Sequence, residues 1–188
     1  MSPVPTSAER TLQAIGARRR RAGEPPVSAI VRTLRELSQE SEALVALFDA
    51  RSVGGERHLL SAWAHHGRAR ARGESRLRDR GAELALFLAG DDQLPRALEK
   101  VGVRDSVDAL VLVAERPRSP RDLLERFDLV EDPAAYPRAV DATTLDRLGI
   151  GPADRAAVPE SAWEGLVLER VALLELSAPS KRPAPTKA

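Results

Sequence analysis

All three histidines of the chain, His58, His65 and His66, fall in one arginine-rich segment between Glu56 and Arg72. Imidazole and guanidinium side chains in one stretch suit either metal ligation or the holding of an anion. Metal ligation fails on spacing. Zinc-binding helices place histidines at i and i+4, so that both nitrogens reach one ion at ~2 Å. His58 and His65 are seven residues apart, which is ~10 Å along a helix, and no metal site is expected. Asp91-Asp92 resembles an acid–base pair of carboxylates, but it stands directly before Gln93-Leu94-Pro95, where capping of the next helix is the better use. Gly54-Gly55 either turns the chain or offers backbone N–H groups to a phosphate. Cysteine is absent, which removes thiolate nucleophiles, thiolate zinc sites and disulfides together. Neither a Gly-x-Ser-x-Gly elbow nor a glycine-rich phosphate loop ending in Lys-Ser/Thr occurs. No catalytic residue, cofactor or small-molecule substrate is therefore expected, and the chain does not read as an enzyme.

Charge distribution favours the anion. The net charge is only +1, yet residues 51–80 carry eight Lys+Arg against three Asp+Glu, whereas residues 81–188 carry fourteen against nineteen. A basic segment set in an acidic remainder suits a local anionic contact. The cations are nearly all arginine, whose planar fork grips phosphate at two points; arginine-favouring codon usage explains the same bias. Projected at about 100° per residue, Leu59, Leu60, Trp63, Gly67 and Ala71 share one side of the Glu56–Arg72 helix. Arg57, His58, Ser61, His65, Arg68 and Arg72 occupy the opposite arc. His66 and Arg70 lie at its far edge without a role. The polar arc is a solvated face or a binding face. Glu56 and Glu74 stand only at the ends, so acids at i+4 do not neutralise the arginines along the helix.

The elements that must position this helix are legible in outline. At 188 residues a single domain is expected. Met1–Arg10 and Ser177–Ala188 are rich in Pro, Ser and Ala and read as disordered tails around a domain of residues 11–176. Thr11–Arg18 reads as a strand and Arg18–Arg21 as a solvated edge or an auxiliary phosphate contact. Ser28–Ser38 reads as a helix capped by Ser28, and Ala43–Phe48 as a strand covered on both faces. Leu77–Ala89 reads as a buried helix, for lack of β-branching. Gln93–Val101 is a helix with Leu94, Leu98 and Val101 inward, capped by Asp91 or Asp92 and stopped by Gly102. Val107–Val113 is the clearest strand. Short helices are expected at Arg121–Phe127 and Thr143–Leu148, then a helix Ser161–Arg170 and a final strand Val171–Leu176. On the last helix Trp163, Val167 and Arg170 form one stripe, and Ala162 and Leu166 a second; only one can face the sheet. The order predicts an α+β fold, a small mixed or antiparallel sheet flanked by several helices. No apolar run approaches the ~20 residues that cross a bilayer, and Met1-Ser-Pro-Val-Pro is unlike a secretion signal. The expected location is cytoplasmic.

The ordered features between residues 43 and 176 resemble the small subunit of the KEOPS complex of archaea, the counterpart of the human PRPK-binding protein. The resemblance rests on Asp49-Ala50, His58-Leu59, the Ala-Gly-x-x-Gln-Leu junction at 89–94, Ala97-Leu98 with Gly102-Val103, and the C-terminal run 168–176. It implies a non-catalytic accessory subunit in tRNA threonylcarbamoyladenosine biosynthesis, partnered by the complex's atypical kinase/ATPase and by the single-stranded tRNA 3′ CCA end. The tRNA contact would then fall on Arg57, His58, Arg68 and Arg72 of the basic helix and on Gln93 and Arg96 at the junction. The kinase contact would fall near Ala162 and Leu166. Family members often carry a basic residue where this chain has Asp92. Two other classes fit the residues: a protein-interaction module that regulates the kinase without touching RNA, and a basic DNA-binding regulator, although no compact helix-turn-helix spacing surrounds the basic helix.

Overall fold

Two uninterrupted apolar runs form neighbouring strands of a sheet, one at its edge and one inside it. In the computed structural model, which describes residues 11–115 and 118–177, strands β1 (Leu12–Arg19), β2 (Val45–Asp49), β3 (Ala109–Glu115) and β4 (Leu129–Glu131) are arranged in the order β2-β3-β1-β4. Each neighbouring pair is antiparallel, with Leu47 opposite Leu112, Ala17 opposite Leu110 and Arg18 opposite Val130. Eight helices surround the sheet among the described residues: α1 (Val27–Glu40), α2 (Glu56–Ala71), α3 (Arg80–Ala89), α4 (Leu94–Val101), α5 (Pro120–Arg126), α6 (Ala142–Leu148), α7 (Pro152–Ala156) and α8 (Trp163–Leu176). The fold is a single α+β domain with a purely antiparallel sheet.

Strand residues alternate between two cores, because successive side chains leave a strand on opposite faces. Val45, Leu47, Leu110 and Leu112 join Ile30 and Leu37 of α1 and Leu123 and Leu124 of α5. Ala46, Phe48, Val111 and Val113 join the larger core of α2, α3, α4, α6 and α8. Coverage on both faces is why β2 and β3 read as continuous hydrophobic runs.

Several expectations need correction. Val171–Leu176 is not a strand: it continues α8, whose Val167, Val171 and Leu174 make one buried stripe. The run Val-Ala-Leu-Leu-Glu-Leu keeps helical spacing and has one β-branched residue, so local propensity agrees with helix. That stripe packs on α2 and α3 rather than on the sheet. The cap of α1 is Pro26, not Ser28. On α4 the buried residues are Ala97 and Val101, while Leu98 is exposed. The short strand β4 adds an edge that its three residues gave no period to detect. Arg19 is not solvated: its side chain is buried, with Nη1 donating to the Asp105 carbonyl at 2.7 Å. Arg18, Arg20 and Arg21 remain at the surface on Asp132, Asp128 and Glu24. The expected tails lie outside the described residues, apart from Ser177. Among the described residues no helix is long and apolar enough to cross a membrane.

Candidate nucleic-acid interface

The basic helix α2 is rolled relative to its expected orientation. Its buried residues are His58, Leu59, Ala62, His66 and Ala69, whereas Leu60, Gly67 and Ala71 face outward. Packing between α3 and α8 sets this rotation, and two histidines enter the core, His58 with a hydrogen bond at each nitrogen and His66 against the Glu83 carboxylate. His58, expected on the RNA face, is wholly buried. Its Nε2 donates to the Leu88 carbonyl at 2.9 Å and its Nδ1 accepts from the Gly54 N–H at 3.0 Å, an arrangement that fits the neutral tautomer. Burial pulls its pKa down to about 4 against the opposing bond to Leu88. It is a clamp between the start of α2 and the end of α3.

His66, to which the sequence assigns no role, is buried beside Glu83 of α3, with Nε2 3.2 Å from Oε2. The contact falls short of directed hydrogen-bond geometry. Glu83 also accepts from Arg70 Nη1 at 2.8 Å and from the Arg76 N–H at 2.6 Å. Burial alone would raise its pKa, but His66, Arg70 and the Arg76 N–H hold it at about 2. Gly54 and Gly55 do not form an open phosphate cradle. Both are buried, and Val140 Cγ2 and the Arg138 carbonyl approach to 2.7 and 3.4 Å of where their Cβ atoms would stand.

The outer arc of α2 retains Arg57, Arg68 and Arg72, with exposed fractions of 72, 50 and 44%. None is unpaired. Arg57 Nη1 lies 2.5 Å from Glu164 of α8. Glu175, also on α8, receives His65 Nδ1, Arg68 Nη2 at 3.1 Å and Arg72 Nη2 at 2.6 Å, while Arg72 Nε reaches Glu74 at 2.8 Å. The expected lack of neutralising acids along the helix is thereby overturned, because the acids come from a helix about 110 residues away in sequence. Burial pushes the Glu175 carboxyl up, yet Arg68, Arg72 and His65 bring it down to about 2.

At the α3–α4 junction Gln93 and Arg96 are exposed. Asp91 caps from outside, its Oδ1 accepting from the Gln93 N–H at 3.0 Å; the residue at the helix cap itself is Gln93, without a side-chain bond. Arg96 Nη2 sits 3.0 Å from Asp91 and 3.1 Å from Asp92, and Lys100 Nζ 3.0 Å from Asp91. Burial raises the Asp91 pKa, but the Gln93 N–H, Lys100 and Arg96 together leave it lowered. An open cleft of about 330 Å³ runs here between Asp91, Asp92, Arg96 and Lys100 on one wall and Arg170 and Leu173 on the other. Arg57, Arg68 and Arg72 do not line it, so the two groups of candidate RNA contacts are not brought into one pocket. A second cleft, of about 320 Å³, is lined by Ile150, Ala157, Leu166 and Leu173. Leu166 is half-buried at its side and Leu173 is 51% exposed; Ala162 is half-buried at the start of α8. Among the described residues, no group of three His, Cys, Asp or Glu side chains is placed to hold a metal ion.

Protein-family models were compared with the chain without a match, and no curated protein matches it either.

Proposed function

We propose that the chain is the non-catalytic small subunit of an archaeal KEOPS complex, acting in the cytoplasm in tRNA threonylcarbamoyladenosine biosynthesis. It binds the complex's atypical kinase/ATPase subunit through the Leu166–Leu173 face of α8, and the tRNA 3′ CCA end through the arginines of α2 and the start of α4. One observation carries this reading: Asp49, His58, Gly90 and Ala97, four of the residues that carry the resemblance, are packed joints between elements, whereas Gln93 and Leu98 are exposed and the run 168–176 is helical to its end. Asp49 is wholly buried and paired with Arg51 and with Arg147 of α6 at 2.9 and 2.7 Å. Ser52 Oγ donates to the Lys100 carbonyl at the end of α4. His58 ties α2 to α3, Gly90 lies against Arg170 of α8, and Ala97 is wholly buried. The packing of these four residues supports the reading.

The paired state of Arg57, Arg68, Arg72 and Arg96 favours a second reading, a kinase-binding module without RNA contact. Co-expression with the kinase subunit of the same genome tests what the two readings share. The wild-type chain co-purifies with the kinase, and Leu173→Glu, exposed enough to fold normally, abolishes the association. Leu166→Glu does the same if it folds. A wild-type chain that fails to bind the kinase contradicts both readings.

A further inference from the structure

The carboxylates that cover the basic face have a spacing of their own. Arg57 and Arg68 are eleven residues apart on α2, and their partners Glu164 and Glu175 are eleven residues apart on α8. Eleven residues are about three helical turns, or ~16 Å, so each pair of side chains returns to one side of its helix. The first of each pair meets the first and the second meets the second, so the helices run side by side in the same direction. Two acids on α8 are thus in register with two cations on α2, and His65 and Arg72 join at the second position.

We propose that Glu164 and Glu175 form a built-in counter-anion that occupies the phosphate-binding positions of α2 and must be displaced when a polyanion binds there. The inference rests on the reading that α2 holds RNA and adds its regulation: the face is closed by the molecule's own acids. A phosphate reaching Arg57, Arg68 or Arg72 competes with a carboxylate already in place. The competition is winnable. The arginines are between 44 and 72% exposed, and exposed pairs of this kind hold weakly and are screened by salt. Glu175, with 12% of its side chain exposed and two arginines and His65 around it, is the harder of the two to displace.

The test is filter binding of transcribed tRNA at several salt concentrations to the wild-type chain and to Glu175→Gln, Glu164→Gln, Arg68→Glu with Arg72→Glu, and Glu169→Gln. Glu169 is exposed on α8 and joins no ion pair among the described residues, so it controls for loss of one negative charge alone. Expected for Glu175→Gln is about three- to tenfold tighter binding than Glu169→Gln, with a steeper salt dependence as freed cations take up phosphates, each worth ~0.7 in the slope for a single strand. Glu164→Gln, at the more exposed pair, gives a smaller gain in the same direction and serves if Glu175→Gln does not fold. If the arginine double variant loses binding but both glutamine variants bind like Glu169→Gln, the counter-anion is refuted and the RNA reading stands. If the arginine double variant binds tRNA as the wild type does, or if wild type and glutamine variants alike fail to bind, the RNA reading falls and the counter-anion with it.

Discussion

Burial of His58 in its neutral form predicts a specific acid sensitivity. The folded pKa is about 4, against the ordinary 6.5, so the unfolded chain binds a proton between these values that the folded chain refuses. Stability from this group is therefore complete above the ordinary pKa and is lost as pH falls through the folded one. At 1.36 kcal/mol per pKa unit the full loss is roughly 3 kcal/mol. About 2 kcal/mol of it falls between pH 7 and pH 5, above the ordinary 4.5 through which pH must fall before Glu83 and Glu175, both held at about 2 in the fold, begin to lose their contribution. Urea unfolding at the two pH values measures it; with an m-value of about 2 kcal/mol/M the midpoint drops by about 1 M. His58→Gln isolates the contribution. It destabilises the protein at pH 7 by about 1–3 kcal/mol, because the Leu88 carbonyl and Gly54 N–H lose a well-aligned partner. It also removes about 2 kcal/mol of the difference between pH 7 and pH 5. If wild type and His58→Gln lose equal stability between these pH values, His58 is not a buried neutral clamp, and its place on the outer arc of α2 returns.

Two further substitutions probe the same junction. Gly90 has φ +58°, and an added Cβ would lie 2.9 Å from Arg170 Cβ and 3.2 Å from its backbone; Gly90→Ala therefore costs at least the ~1–2 kcal/mol of a left-handed residue, read from urea midpoints. Glu83→Ala strands His66 and Arg70 beside an empty buried position and costs about 3–5 kcal/mol in the same assay, whereas a loss within 0.5 kcal/mol (roughly the scatter of surface substitutions) contradicts the buried network.

Legibility in the sequence followed the kind of signal each feature carries. β2, β3, α1 and α4 announce themselves through apolar runs, helical spacing and the Gly102 stop, and the structure places them within a few residues of expectation. The rotation of α2 was not legible. It depends on Leu88, Glu83 and Glu175, partners far away in sequence that make histidine acceptable inside and supply the acids missing along the helix itself. The end of α8 differs from the expected strand although its local propensity favours helix: six apolar-rich residues are too few for periodicity to separate a buried strand from a buried helix. The pairing of Arg96 with Asp91 and Asp92 was half legible: the acids are visible as a cap, but their second use as partners of Arg96 and Lys100 needs the turn at Gly90.

One comparison separates an RNA-binding accessory subunit from a module that touches protein alone. Intact tRNA, the same tRNA lacking its 3′ CCA, and a DNA duplex of equal length are titrated with the purified chain at fixed salt. Intact tRNA is expected to bind with an affinity that falls steeply as salt rises, to bind clearly less well once the CCA end is removed, and to bind better than the duplex. Equal binding of all three would contradict recognition of the single-stranded end, and binding of none would leave the arginine face of α2 to its partner acids on α8.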